Sequence, residues 1–169
     1  MTLHRFGGVT PTIDEAAWVA PGADVIGDTV IGPRSSIWYG AVLRGDVMPI
    51  RIGARTSIQD NSVLHTTGGW QALDVGDDCT VGHAVLLHGC TVGDRVLVGM
   101  GSIVLDAANI GHDVILGAGS LVTARTEIPP GVLAFGRPAK PVRDLTPEEL
   151  QQIRDAASHY AELIDDYRQ

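Results

Sequence analysis

Aliphatic residues recur every six positions along most of this chain, and this repeat predicts the fold. Extra residues interrupt it twice, and one step is shortened. Glycine often follows the aliphatic residue, and a small or β-branched residue usually lies four places after it. Eighteen aliphatic positions, three per turn, predict six turns from about Ile13 to Glu127. The positions are Ile13, Val19, Val25, Ile31, Ile37, Leu43, Ile52, Ile58, Leu64, Val75, Val81, Leu87, Val92, Val98, Val104, Ile110, Leu116 and Val122.

A six-residue repeat of this kind is typical of a parallel β-helix. Each short strand points its aliphatic side chain inward, and the next residue faces outward because side chains alternate across a strand. Glycines and small residues allow the tight corners between strands. An ordinary sandwich of short strands is the alternative, but this repeat is too long and too regular for it.

The repeat also divides the chain into four parts. Residues 1–12 form an N-terminal segment, and residues 13–127 form the β-helix domain. Prolines and glycines then break the pattern over a connecting segment at 128–145, and a helix follows at 146–169. The extra residues at 47–51 and 66–74 are predicted to leave the coil as loops at the same corner, where a rigid scaffold commonly carries function.

The C-terminal segment predicts an amphipathic helix. Thr146, Pro147 and Glu149 form a capping box with proline at the first helical position. Apolar residues follow at three- and four-residue steps, which predicts one stripe that packs on the coil or on a neighbouring subunit. The stripe consists of Leu150, Ile153, Ala157, Tyr160, Ile164 and Tyr167.

Three of the six histidines lie in one stretch of the repeat. Each turn has an outward-facing residue directly after its third aliphatic position. On three successive turns this residue is Arg44, His65 and His88. Because adjacent strands lie about 4.8 Å apart, the two imidazoles can share a metal ion at about 2.0 Å from each nitrogen. His83 lies at another corner, beyond reach of that metal. A neighbouring subunit would supply it, giving three identical sites around a threefold axis.

Three imidazoles with an open position are the ligand set of a catalytic zinc. Cys90 is a candidate soft ligand, but it falls two residues beyond His88, so we expect Cys79 and Cys90 to pack in the interior. His4, His112 and His159 have no other histidine at a matching position of the repeat, so we expect them at the surface. His159 is directly followed by Tyr160.

The amino-acid composition indicates which classes of binding partner are disfavoured. The formal net charge is −8 and the pI is about 5.0, which disfavours nucleic acid and anionic membranes as partners. The N-terminal residues lack the apolar core of a signal peptide, and glycines break the longest apolar stretch. Two cysteines form no disulfide framework. We therefore expect a cytoplasmic protein that acts on a small-molecule substrate.

At its histidine stretch the chain resembles the γ-class carbonic anhydrases, and the resemblance covers nearly all of it. It implies a left-handed β-helix and a homotrimer, with zinc bound by His65 and His88 of one subunit and His83 of the next. Iron(II) or cobalt(II) are alternative metals. The residues that carry the resemblance are Arg44-Gly45-Asp46, the run from Ile52 to Asp60, His65, Val81-Gly82-His83, His88-Gly89-Cys90 and Val98-Gly99-Met100-Gly101.

The resemblance also implies roles for five other side chains. Gln59 would orient a zinc-bound hydroxide, and Arg44 would bind bicarbonate while pairing across the interface with Asp46. Asp60 matches a carboxylate that supports a metal ligand, and Tyr160 matches an aromatic residue that lines the site. The same Arg44–Asp46 pair would equally serve as a structural salt bridge of the trimer.

One departure from the family pattern concerns proton export. Val47 and Met48 follow Asp46, where the best-studied type carries a proton-shuttling glutamate, so this chain is similar to a shorter branch. The leading hypothesis is a zinc lyase that interconverts carbon dioxide and bicarbonate through a metal-bound hydroxide at the trimer interface. The alternatives are a metal-dependent acyl-CoA thioesterase, a non-catalytic metal-stabilised trimer and, last, an acyltransferase.

Overall fold

A computed structural model describes residues 2–168 as a parallel β-helix of about seven turns that ends in one α-helix. The fold class predicted from the repeat is confirmed. The helix α1 spans Pro147–Tyr167. The strands are β1 (Thr2–His4), β2 (Thr12–Ile13), β3 (Trp18–Val19), β4 (Asp24–Ile31), β5 (Ser36–Ile37), β6 (Val42–Ile52), β7 (Ser57–Ile58), β8 (Val63–His65), β9 (Leu73–Val75), β10 (Thr80–Val81), β11 (Leu86–His88), β12 (Thr91–Val92), β13 (Val96–Val98), β14 (Ile103–Val104), β15 (Asn109–Ile110), β16 (Val114–Leu116), β17 (Leu121–Val122), β18 (Glu127–Ile128), β19 (Val132–Gly136) and β20 (Ala139–Asp144).

The strands stack into three faces, because each pairs in parallel with the strand at the same place on the next turn. Face 1 contains β2, the later halves of β4 and β6, and then β9, β12, β15 and β18. Face 2 contains β3, β5, β7, β10, β13, β16 and β19, with β20 antiparallel at its end. Face 3 contains β1, the earlier halves of β4 and β6, and then β8, β11, β14 and β17.

The interior is a column of aliphatic side chains. Seventeen of the eighteen predicted aliphatic positions are buried, and Ile13 is partly buried. Complete burial of one such side chain stabilises the folded state by about 1.5–3 kcal/mol. The repeat therefore indicated both the register of the strands and the residues of the core.

Small hydroxyl residues close the corners between faces. The Ser35 hydroxyl donates to the carbonyl oxygen of Gly53 at 2.6 Å, on the next turn. The Thr56 hydroxyl donates to Gly76 in the same way at 2.7 Å. These side chains satisfy carbonyl groups that the bend would otherwise leave unpaired and buried. The small polar residue four places after the aliphatic one thus has a structural reason.

Two predicted boundaries differ from the structure. The β-helix does not end at residue 127, because β18 and β19 continue faces 1 and 2 into the predicted connecting segment. Pro129 is tolerated there because no further turn follows on face 1. On the preceding turn, the Gly111 N–H donates to the Ile128 carbonyl, and Pro129, which has no N–H, needs no such partner.

The extra residues at 47–51 do not form a separate loop but lie within β6. The pairing of β4 with β6 shifts between Gly27 and Thr29, so the residues around Val47 bulge outward opposite Asp28. A bulge fits extra residues into a strand while the ladder continues on both sides. Its position next to Asp46 matters for the site described below.

The C-terminal helix begins as predicted and packs against face 2 over β5, β7 and β10. The Thr146 hydroxyl accepts the Glu149 N–H, and the Glu149 carboxylate accepts the Thr146 N–H, which completes the capping box. At the other end the Tyr167 ring lies 5.0 Å from Trp18, centre to centre. Tyr160 is held 5.8 Å from the ring of Trp38. No helix among residues 2–168 is long and apolar enough to cross a membrane.

Candidate metal centre in two halves

The first half of the candidate centre is the His65–His88 pair on face 3. The two residues are direct partners in the pairing of β8 with β11. His65 Nδ1 lies 3.2 Å from His88 Nε2. Two nitrogen ligands of a tetrahedral zinc, each about 2.0–2.1 Å from the metal, lie about 3.3 Å apart. The register therefore brings these histidines together at the separation that such a metal requires.

Two carboxylates hold the outer nitrogens of this pair. Asp46 Oδ1 lies 3.1 Å from His65 Nε2, and Asp106 Oδ2 lies 3.0 Å from His88 Nδ1. An ionised carboxylate only accepts hydrogen bonds, so the facing imidazole nitrogens carry the protons. When both rings are neutral, the nitrogens of His65 and His88 that face each other each present a lone pair. Two lone pairs at this distance repel unless a cation lies between them, which is the chemistry of a metal site.

The electrostatics of the first half favour this protonation pattern. Burial raises the pKa of Asp46, but hydrogen bonds from Arg44 and His65 outweigh it and hold that pKa below its usual value. Burial likewise raises the pKa of Asp106, and hydrogen bonds from Thr67 and His88 reverse the effect. Burial lowers the pKa of His65. The carboxylates are therefore charged and His65 is neutral near pH 7, as a metal ligand must be.

Asp106 was missed by the sequence-based analysis. It follows Leu105, which occupies the outward position after β14, and its carboxylate turns back towards the previous turn. Room for it exists because Gly89 has no side chain: a Cβ there would lie 2.6 Å from Asp106 Oδ1. The sequence pattern that could have indicated this contact is a glycine directly after His88 and an aspartate one turn later.

Arg44 completes the first half. Its Nη1 donates to Asp46 Oδ2 at 2.5 Å within the same chain, whereas the family resemblance implied a pair across an interface. The Arg44 side chain is 43% exposed, so its guanidinium remains accessible to an anion. Arg44, Asp46, His65, His88 and Asp106 thus form one connected cluster.

The second half lies at the corner between faces 2 and 3. His83 Nδ1 lies 2.9 Å from Asp60 Oδ2, and the His83 side chain is 50% exposed. The carboxylate again fixes the tautomer and leaves Nε2 as the free lone pair. Gln59 is buried beside it. Gln59, His83 and Tyr160 all line an open groove of about 420 Å³.

One chain does not join the two halves. Among residues 2–168, no three histidine, cysteine or carboxylate side chains converge on a point that could hold a metal. Between the halves runs a column of outward apolar side chains on face 3, in register from turn to turn. The column consists of Val42, Val63, Leu86, Ile103 and Leu121.

Neither cysteine belongs to the site. Cys79 and Cys90 are buried in the interior of the coil. Burial raises the pKa of each thiol to about 12. Both side chains therefore remain protonated and contribute packing, not ligation.

Comparisons with known proteins identify the family. The chain is 46% identical over 166 residues to a carbonic anhydrase of Geobacillus kaustophilus, covering 98% of this chain and 91% of that protein. It is 45% identical over 167 residues to the mitochondrial γ carbonic anhydrase 1 of Arabidopsis thaliana, covering 96% of this chain and 61% of that protein. The chain thus spans about three fifths of the plant relative's length.

A solved structure agrees in fold. A hexapeptide transferase family protein from Anaplasma phagocytophilum superposes with a TM-score of 0.92 at 45% identity, covering 98% of this chain and 97% of that one. No protein-family model matches the chain. The near-complete alignment with a carbonic anhydrase at this identity is decisive, and the chain belongs to the γ-class carbonic anhydrase family.

Proposed function

We propose that this protein interconverts carbon dioxide and bicarbonate at a zinc centre that two subunits of a homotrimer share. The observation that carries the proposal is that His65 Nδ1 and His88 Nε2 face each other 3.2 Å apart. They supply two ligands, and His83, whose free nitrogen is half exposed at another corner, supplies the third from the next subunit.

The residues present fit zinc. Three neutral imidazoles leave one position open, which is the catalytic arrangement of this metal. When bound, zinc supplies a Lewis acid that makes water a nucleophile near neutral pH. Asp46, Asp60 and Asp106 each contact the outer nitrogen of one histidine, and such a contact favours the tautomer that a metal requires.

The remaining side chains bind and orient the substrate in this proposal. The buried Gln59 amide has little freedom, so it can aim a water molecule at the carbon of carbon dioxide. The accessible Arg44 guanidinium attracts bicarbonate and receives the negative charge that develops on its oxygens. Asp46 holds Arg44 and His65 at once, which couples the anion-binding group to the metal ligands.

The apolar column between the two halves supports the proposed homotrimer. Val63 is the second of the five residues in that column and is 39% exposed. A contiguous apolar strip flanked by polar clusters is typical of a protein interface. Burying it against the next subunit around a threefold axis would bring His83 of one chain towards His65 and His88 of its neighbour.

Mixed trimers test the proposal. We expect His65→Ala and His83→Ala proteins each to lose zinc and carbon dioxide hydration. Trimers refolded from equal amounts of the two should recover about one quarter of the sites, because an interface between unlike chains can still carry all three histidines. His112→Ala removes an exposed histidine at a distant corner and serves as the control. Verified mixed trimers without zinc or activity would contradict the shared site.

The alternatives predict other outcomes. A non-catalytic module would bind zinc and recover it in the mixed trimers without turnover. A metal-dependent thioesterase would cleave acyl thioesters at the same centre, and the groove beside Gln59 is the feature that favours it.

A further inference from the structure

The loop between β8 and β9 lies at the corner where faces 3 and 1 meet. It leaves the coil after His65 and returns at Leu73. Gly89, Asp106 and Arg125 lie at the same corner on the next three turns. The Gly89 N–H donates to the His65 carbonyl at 2.9 Å, and the Arg125 N–H donates to the Asp106 carbonyl at 3.0 Å. Asp106 therefore lies between the start of the loop and Arg125.

Trp70 of this loop contacts Arg125. The guanidinium carbon of Arg125 lies 5.0 Å from the centre of the Trp70 ring, where a cation is attracted to the aromatic face. The Trp70 residue is 44% exposed, so it adds little to the core of the coil. Because the contact spans three turns, the loop passes over the turn that carries Asp106.

Two other contacts hold the loop in place. The Thr67 hydroxyl donates to the Asp106 carboxylate, and Gln71 Nε2 donates to Thr91 Oγ1 at 3.3 Å. Beneath the loop the Asp106 side chain is only 16% exposed, and its Oδ2 lies 3.0 Å from His88 Nδ1. The loop thus covers the carboxylate that holds a candidate metal ligand.

The loop depends on these contacts for its order. Thr67, Gly68 and Gly69 are exposed, and Gly69 has a φ of +72°. Glycine loses more conformational freedom than any other residue when it is ordered. An open loop would admit water to Asp106, and water would compete with His88 for the carboxylate. The conformation of the loop therefore affects how firmly Asp106 holds the His88 ring.

We propose that Trp70 is a positioning residue for His88, because its contact with Arg125 keeps the loop at 66–72 closed over Asp106. The inference rests on the proposed zinc centre, of which His88 is a ligand. Trp70 acts through Arg125 and Asp106. By reciprocity, a closed loop favours zinc binding, and bound zinc favours the closed loop.

Zinc affinity tests the role of Trp70. An exposed contact between a cation and an aromatic ring is worth about two- to fivefold in an equilibrium constant, so Trp70→Ala and Arg125→Ala should each weaken zinc binding by about threefold. Competition with a chelator of known affinity measures this on the assembled protein. Trp70→Tyr keeps an aromatic face and should restore most of the affinity, whereas Trp70→Leu should not. Phe135→Ala removes a similarly exposed aromatic side chain on β19 and is the matched control.

Double variants show whether Trp70 acts through Asp106. In an Asp106→Ala protein the loop has no carboxylate to cover, so adding Trp70→Ala should cause no further loss of zinc affinity. Adding Trp70→Ala to Arg125→Ala should likewise cause none, because the contact is already absent. A general loss of stability would instead lower zinc affinity equally in every background.

The metal-free protein provides a second measurement. Nitrogen-15 NMR of the histidine rings shows which nitrogen of His88 carries the proton, with the signals assigned from a His88→Asn variant. Trp70→Ala should raise the fraction that carries the proton on Nε2, because Asp106 then holds Nδ1 less firmly. This measurement requires neither bound zinc nor turnover.

The outcomes are distinct. Unchanged zinc affinity together with an unchanged His88 tautomer in a folded Trp70→Ala protein would overturn the inference, even where carbon dioxide hydration remained. Equal losses of zinc affinity with and without Asp106 would overturn it as well. A changed tautomer in a protein that does not hydrate carbon dioxide would instead remove the proposed function and leave the role of Trp70 intact.

Discussion

Replacing Asp106 with alanine should weaken zinc binding without removing a metal ligand. Asp106 Oδ2 accepts the proton of His88 Nδ1 at 3.0 Å, and the aspartate side chain is only 16% exposed. Without that acceptor, His88 is free to carry its proton on Nε2, the nitrogen that faces His65. The metal must then displace this proton or select the minor tautomer.

The structure sets the size of the effect. A hydrogen bond to a charged partner contributes about 1.5–3 kcal/mol, and removing a carboxylate behind a metal-binding histidine costs about 10–100-fold in affinity. The two ranges agree, because a hundredfold change corresponds to about 2.7 kcal/mol. Asp106→Asn should lose less, since the amide oxygen still accepts from Nδ1.

Competition with a chelator of known affinity measures the change in zinc binding to the assembled protein. Asp24→Ala is the matched control, because Asp24 also contacts a histidine at 3.0 Å, but at His4 near the N-terminus. Circular dichroism and light scattering establish that each variant keeps its fold and assembly. Unchanged zinc affinity in a folded Asp106→Ala protein would refute the reasoning.

Three further outcomes are expected. Gln59→Ala should lower carbon dioxide turnover by about a hundredfold at unchanged zinc content, and loss of zinc in that variant would show a structural role. Ile58→Ala deletes a fully buried core side chain and should lower the free energy of unfolding by about 2–5 kcal/mol, as measured by denaturant titration. Val47 is half exposed directly after Asp46, and neither Val47 nor Met48 has a carboxylate that could carry protons. Hydration should therefore rise with imidazole concentration at fixed pH, and Val47→Glu should raise the rate most in weak buffer. His159, beside Tyr160, is the one candidate carrier that the sequence suggests, because histidine titrates near neutral pH. A high rate in dilute buffer that is unaffected by His159→Ala would therefore show another proton path.

The repeat predicted the β-helix and the stacking of His65 on His88 because both depend on register alone. A six-residue period determines which residues face outward and which lie one turn apart. It does not show where an outward side chain turns next, so the contact from Asp106 back to His88 was missed. It also does not show how a helix packs alongside a face. The glycines after Val81, Val98 and Leu116 indicated close packing between turns, and only the structure shows that they line a groove together with Tyr160 of the docked helix.

In the proposed trimer, the split ligand set would tie zinc binding to assembly. Before assembly, a single subunit presents two histidines at one edge and one histidine at another. Neither edge alone would bind zinc as tightly as the complete set of three. Any ligand that binds only the assembled form stabilises it, by about 2.7 kcal/mol per site at a hundred times its dissociation constant. Three sites then favour the trimer by roughly 8 kcal/mol. By reciprocity, assembly raises zinc affinity by the same factor by which zinc favours assembly, so a stronger subunit contact raises the apparent zinc affinity wherever assembly is incomplete. In the proposed trimer, the apolar column through Val63 would thus contribute to zinc affinity through assembly.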